Sequence, residues 1–185
     1  MMLRHLPNLI CIARIVLIWP IIAALRGADY EVAMVLFALA AVSDGLDGYL
    51  AKRFNWTSEL GKLLDPAADK LLLVCMFVSA TWLGLAPRWL TAAVVARDVF
   101  IALGALAFRL GFGPLHGRPR LLSKLNTAVQ LGYLLCVTVH AAFAVPSVDA
   151  LAALAGVTLV TTVISGADYA LAFTRRALAV PARSS

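Results

Sequence analysis

The chain has 185 residues, 62% of them hydrophobic and only 14% charged, with a mean hydropathy of +0.90. A soluble domain of this size is roughly half apolar, so the composition excludes an ordinary soluble fold and leaves one membrane domain as the expectation, without room for a separate soluble one. The net charge of +6 would suit nucleic acid in a soluble protein. Here the basic residues lie between apolar runs and form no stripe with interleaved aromatics, so anionic head groups and the positive-inside rule account for them and nucleic acid is not an expected partner.

Six spans are predicted, each close to the ~20 residues that cross a bilayer core. The first, about Leu9 to Leu25, outruns a signal-peptide core, contains Arg14 and has no convincing cleavage site, so it reads as a retained span. The second, about Glu31 to Leu50, carries Asp44 and Asp47, and the third, about Leu60 to Trp82, carries Asp65 and Asp69. The fourth, about Trp89 to Ala107, holds Arg97 and Asp98. A basic, glycine- and proline-containing connection from Arg109 to Ser123 then leads to the fifth span, about Lys124 to Val145, and to the sixth, about Val148 to Phe173. Domain limits follow at 1–175 for the membrane domain and 176–185 for a frayed tail. Lys52, Arg53, Arg109, Arg118, Arg120, Arg175 and Arg176 alternate with connections holding only Arg26 and Arg88, which places both termini in the cytoplasm. Cys11, Cys75 and Cys136 lie in apolar runs and read as small hydrophobes. His140 reads as a hydrogen-bonded packing residue, the four tryptophans as interfacial anchors, and Asp168 as a pairing partner for a base such as Arg14 or as a substrate contact.

The carboxylates of the second and third spans set this chain apart from a plain anchor. Asp44 and Asp47 are three apart and Asp65 and Asp69 four apart, so each pair shares a helix face. An ionised aspartate at mid-bilayer costs about 2.5–3.5 kcal/mol on the lenient insertion scale, and four together repel one another unless a counter-charge is present. Lys62 and Lys70 are too few to neutralise them all. An all-oxygen set without nearby His or Cys selects Mg²⁺ or Mn²⁺, and four carboxylates can hold two such ions, as phosphoryl-transfer sites do. Gly45, Gly48 and Gly61 beside them suit either close approach of a phosphate or close helix packing. A cation transporter is the reading from another class, but it calls for acidic residues through the membrane depth on several helices, whereas these gather at one end of two.

The pattern Asp44-x2-Asp47-Gly48-x2-Ala51-Lys52-x8-Gly61-x3-Asp65-x3-Asp69 resembles the signature of the CDP-alcohol phosphotransferase family. It departs at Lys52, where the family has arginine; Arg53 follows, so the charge is kept while a bidentate guanidinium contact is not. The resemblance implies a CDP-linked lipid held on two metal ions, attack of an acceptor hydroxyl on the lipid-side phosphorus, and release of CMP. By it Asp44, Asp47, Asp65 and Asp69 are metal ligands, Asp69 is also the general base, and Asn8, Gly48, Ala51, Lys52 and Gly61 shape the CDP pocket.

Further similarity concerns the acceptor. Leu6-Pro7-Asn8-x5-Arg14 is shared by the phosphatidylglycerophosphate-forming and cardiolipin-forming branches. Ala96-Arg97-Asp98 and the run Leu122 to Gln130 are more similar to the cardiolipin branch, since Asn126 stands where the glycerophosphate branch has a lysine. A monoanionic phosphodiester acceptor needs less positive charge than a dianionic phosphate. The acceptor candidates are therefore Arg97, Lys124, Ser123, Asn126, Arg118 and Arg120, with phosphatidylglycerol as acceptor and glycerol 3-phosphate as the alternative. The expected whole is an all-α bundle of six transmembrane helices with a cytoplasm-facing polar cavity, a homodimer among membrane lipids in a bacterial plasma membrane.

Overall fold

The computed structural model describes the backbone of residues 6–54, 59–112 and 121–179, with side chains described for residues 11–43, 68–107 and 121–175. The described chain is all-helical: α1 (Leu6–Arg26), α2 (Tyr30–Phe54), α3 (Glu59–Trp82), α4 (Arg88–Phe112), α5 (Leu121–Phe143) and α6 (Val148–Ala179). The helices outrun the predicted spans at several ends, because flanking polar and glycine residues lower hydropathy without interrupting the backbone ladder. The exception is α5, which stops before Val145 because Ala144 adopts a left-handed φ of 58°.

Short turns join the helices. After α3, Gly84 at φ 75° closes a Schellman cap in which Leu85 N–H donates to the Ala80 carbonyl at 2.8 Å, a conformation glycine adopts without steric cost. At the start of α6, the Ser147 hydroxyl accepts from Ala150 N–H at 3.3 Å, an N-cap. His140 Nδ1 lies 2.6 Å from the Pro146 carbonyl oxygen and ties the end of α5 to that turn, the packing role expected for it.

α1 lies against α2 and α3, α5 against α2, α3 and α6, and α4 against α3 and α6. One regularity organises the bundle. In α1 and α5 the buried Ile18, Ile21 and Leu25 follow Arg14 and the buried Leu134 and Val137 follow Asn126 and Gln130, and in α3 the buried Leu72, Met76 and Phe77 follow the partly exposed Asp69 and Lys70. In α4 and α6 the order is reversed for Leu90 and Val94, which precede Arg97, and for Ala155, which precedes Thr162 and Ser165. With chain direction alternating, the bundle thus has an apolar half, with Phe77 stacked on Tyr133 at 6.0 Å between ring centroids, and a polar half. Asp44 and Asp47 lie on α2 beyond its core residues Ala33, Phe37 and Ala40, at the polar end of that helix.

The outer surface is apolar: Val16, Leu39, Val42, Leu103, Leu106, Val157, Val160 and Val163 are all about half exposed or more. Buried polar residues with exposed aliphatic ones suit a hydrocarbon surround. Among the described residues, Arg88–Ala107, Leu121–Phe143 and Val148–Arg175 are long and apolar enough to cross a membrane, and Tyr30–Ser43 is a shorter apolar stretch.

α4 and α6 meet at two glycines with opposite tolerances. A Cβ on Gly104 would lie 2.5 Å from the Phe173 ring, whereas one on Gly166 would meet only Arg97 Cγ at 3.5 Å. Gly104→Ala is therefore expected to destabilise by about 1–3 kcal/mol, as overpacking does. Gly166→Ala is expected to be near neutral. Thermal unfolding of both variants in detergent checks the contrast.

Candidate functional site

Arg14 on α1 is 1% exposed, and its Nη1 donates to Asp69 Oδ1 on α3. The Asp69 side chain is 34% exposed. The cation is thus enclosed behind the carboxylate, and the carboxylate sits on the accessible side. Asp69 was not among the partners expected for Arg14; Asp168, half-buried, lies on α6.

Lys70 also departs from expectation. Its Nζ reaches Asp98 on α4, at 2.7 Å from Oδ1 and 2.8 Å from Oδ2, and so pairs outside the cluster of four aspartates. Adjacent helix residues project about 100° apart, so Lys70 leaves the face of Asp69 and turns toward α4. Asp98 also accepts from Arg97 Nη1 at 2.6 Å and therefore carries two cations. Arg97, 6% exposed, spends Nη2 on Ser123 Oγ of α5 at 3.0 Å and on Ser165 Oγ of α6, and its Cζ stands 5.8 Å from the Tyr169 ring centroid. Arg97 Nε has no partner among the described residues.

A second polar seam continues inward between α5 and α6. Thr162 Oγ1 donates to Asn126 Oδ1 at 3.0 Å and accepts from Gln130 Nε2 at 3.3 Å, with all three residues buried. Asn126 Nδ2 and Gln130 Oε1 are left without partners among the described residues.

The structure thus joins Asp69 with Arg14, and Arg97 with Ser123, in one polar layer. Asn126 lies on the Ser123 face of α5, whereas Lys124 is exposed on another face. Asn8, Asp44, Asp47, Gly48, Ala51, Lys52, Gly61 and Asp65 are helical, with side chains outside the described residues, and Arg118 and Arg120 lie outside them altogether. Among the described residues no three carboxylate, His or Cys side chains cluster. For a divalent ion the test available is donor chemistry: four carboxylates at the polar ends of two helices are the hard oxygen donors that Mg²⁺ or Mn²⁺ takes, so the set fits. Lys70, Asp98, Ser165, Thr162 and Gln130 were not singled out as site residues from sequence. Asp98 beside Arg97 in an apolar span was the available signal.

Known proteins of similar sequence fall in one family. Over 142 residues, 68% of this chain and 47% of the relative, it is 35% identical to a cardiolipin synthase (CMP-forming) of Rattus norvegicus. It is 31% identical over 143 residues, 69% of this chain and 72% of the relative, to a CDP-diacylglycerol–glycerol-3-phosphate 3-phosphatidyltransferase of Bacillus subtilis. A probable phosphatidylglycerophosphate synthase of Mycobacterium tuberculosis is 29% identical over 174 residues, 90% of this chain and 80% of the relative. The aligned part spans about half the length of the cardiolipin synthases it matches. The family model for CDP-alcohol phosphatidyltransferase matches residues 4–167, nearly the whole described bundle, and the chain belongs to that family.

Proposed function

We propose that the protein transfers a phosphatidyl group from CDP-diacylglycerol to phosphatidylglycerol, giving cardiolipin and CMP. The observation that carries this reading is Asp69, the last aspartate of the family motif, half-exposed at the polar end of the bundle with a buried arginine behind it. In this reading the six helices all span the membrane, both termini and the polar cavity face the cytoplasm, and a homodimer sits in a bacterial plasma membrane.

The reaction makes one phosphorus–oxygen bond and breaks another: the acceptor oxygen joins the lipid-side phosphorus, and the bridging oxygen leaves with CMP. The hydroxyl proton goes to Asp69, whose carboxylate is within the reach of an incoming substrate. Arg14 holds that carboxylate in place and supplies a permanent positive charge beside it. Gly48, Ala51, Lys52, Gly61 and Asn8 form the CDP side. Ser123, Arg97 and Asn126 form the acceptor side, with Lys124, Arg118 and Arg120 available to the head-group phosphate. Mg²⁺ or Mn²⁺ held by Asp44, Asp47, Asp65 and Asp69 would neutralise pyrophosphate charge.

Glycerol 3-phosphate is the second acceptor reading, favoured by the length of the match to the Mycobacterium tuberculosis relative. Against it, the fully buried Asn126 supplies hydrogen-bonding capacity without charge, which a dianionic phosphate does not reward. Purified protein with Mg²⁺ or Mn²⁺ and labelled CDP-diacylglycerol is expected to form cardiolipin when offered phosphatidylglycerol. Consumption of glycerol 3-phosphate with phosphatidylglycerol ignored would reverse the assignment.

A further inference from the structure

At the end of the bundle away from Asp69, α1 and α3 enclose an open groove of about 450 Å³. Trp19, Ile22, Val74 and Val78 form its apolar walls, and Arg26 and Trp82 stand at its outer end. Trp82 is thirteen residues beyond Asp69 on α3, or about 20 Å at the helical rise. The groove and the polar layer are therefore separate features.

Three observations converge there. Trp19 and Trp82 are 81% and 79% exposed, the two most uncovered aromatic rings among the described residues. The Arg26 guanidinium lies 5.9 Å from the centroid of the Trp82 ring, within cation–π range, an attraction that leaves its N–H groups able to donate. Of the acidic residues at this end, Asp29 and Glu31 line a different depression with Ala141 and Ala142 of α5, and Asp149 stands in the first turn of α6, so none of them lines the groove. An occupant must present a long apolar body to the walls and one anionic group to the fork.

We infer that this groove binds a single anionic phospholipid from the leaflet opposite the active site, its acyl chain along Trp19 and Val78 and its phosphate on Arg26. Guanidinium–phosphate bonding holds the head group, and the indole rings hold the upper acyl chain at the interface. The net negative charge of an anionic head group supplies the selectivity, because the quaternary ammonium of a zwitterionic one offsets its phosphate. The volume lies in the range of small-molecule sites and suits one chain, not a helix. The assignment is independent of which acceptor the enzyme uses.

Tryptophan quenching tests it. A variant with Trp56 and Trp89 replaced by phenylalanine keeps both groove indoles and is reconstituted in phosphatidylcholine vesicles. Brominated-chain phosphatidylserine, an anionic lipid outside the proposed reaction, is compared with brominated-chain phosphatidylcholine. Phosphatidylserine is expected to quench with about fivefold higher apparent affinity, the effect of one basic residue near the surface, and Arg26→Gln is expected to bring the ratio to about one. Equal affinities in the parent variant overturn the proposal, as does selectivity that survives Arg26→Gln. Quenching by neither lipid, together with oxidative crosslinking of two chains through the groove residue Cys75, would assign the groove to a second copy instead.

Discussion

Asp69→Asn is expected to lower CMP release from CDP-diacylglycerol by at least about a thousandfold, within the range that loss of a positioned base produces. The substitution keeps the shape of the side chain and an oxygen that can still accept from Arg14, so the α1–α3 contact survives. What it removes is the negative charge and the basic site. Arg14, 1% exposed, then loses the negative charge of Asp69 beside it, and breaking a buried pair from one side costs up to about 3–5 kcal/mol. The partial exposure of Asp69 places the actual cost below that figure. A thermal scan beside the CMP assay separates chemistry from folding. The double variant Arg14→Gln with Asp69→Asn replaces the ion pair by a neutral hydrogen-bonded pair and should recover stability while remaining inactive. Ordinary turnover by Asp69→Asn would remove its assignment as base. Chelation of divalent ions is expected to stop the parent enzyme reversibly, with activity restored by Mn²⁺ or Mg²⁺.

The polar layer shows which parts of this fold can be read from residue order. Helix existence could be read directly, because apolar runs of about twenty residues have only one satisfactory form in a bilayer. The end of α5 was less accessible: the left-handed residue that stops it is Ala144, not the glycine that such a position usually advertises. The aspartate motif pointed to Asp69 through chemistry and spacing. Its partner did not follow, since Arg14 is 55 residues away and its contact depends on how α1 and α3 are rotated against each other. Lys70 illustrates the same limit. Beside four carboxylates it looks like their counter-ion, yet a turn of one residue about the helix axis delivers it to Asp98 on α4. Inter-helix register is set by packing of side chains such as Phe77 and Tyr133, and no local periodicity encodes it.

Asp98→Asn is the second substitution with a large expected effect, and for a different reason. Asp98 accepts from both Lys70 and Arg97 while its own side chain is only 10% exposed. Arg97 in turn bonds Ser123 and Ser165, so one carboxylate ties α3, α4, α5 and α6 together at the level of Asp69. Removing its charge leaves a buried guanidinium without its anion, and about 3–5 kcal/mol of stability is expected to go with it. Lys70, 40% exposed, can turn to solvent at little cost, so most of the loss belongs to Arg97. Asp98→Glu keeps the charge and is expected to recover part of the stability. Lys70→Met should cost less than about 1 kcal/mol if that division is right. In the assay, Asp98→Asn is expected to raise KM for the acceptor more than for CDP-diacylglycerol, because Ser123 and Arg97 lie on the acceptor side of the proposed site. An equal effect on both substrates, in protein shown to be folded at the assay temperature, would place the Arg97 network outside acceptor binding and leave it the purely mechanical task of holding α4 to α5 and α6.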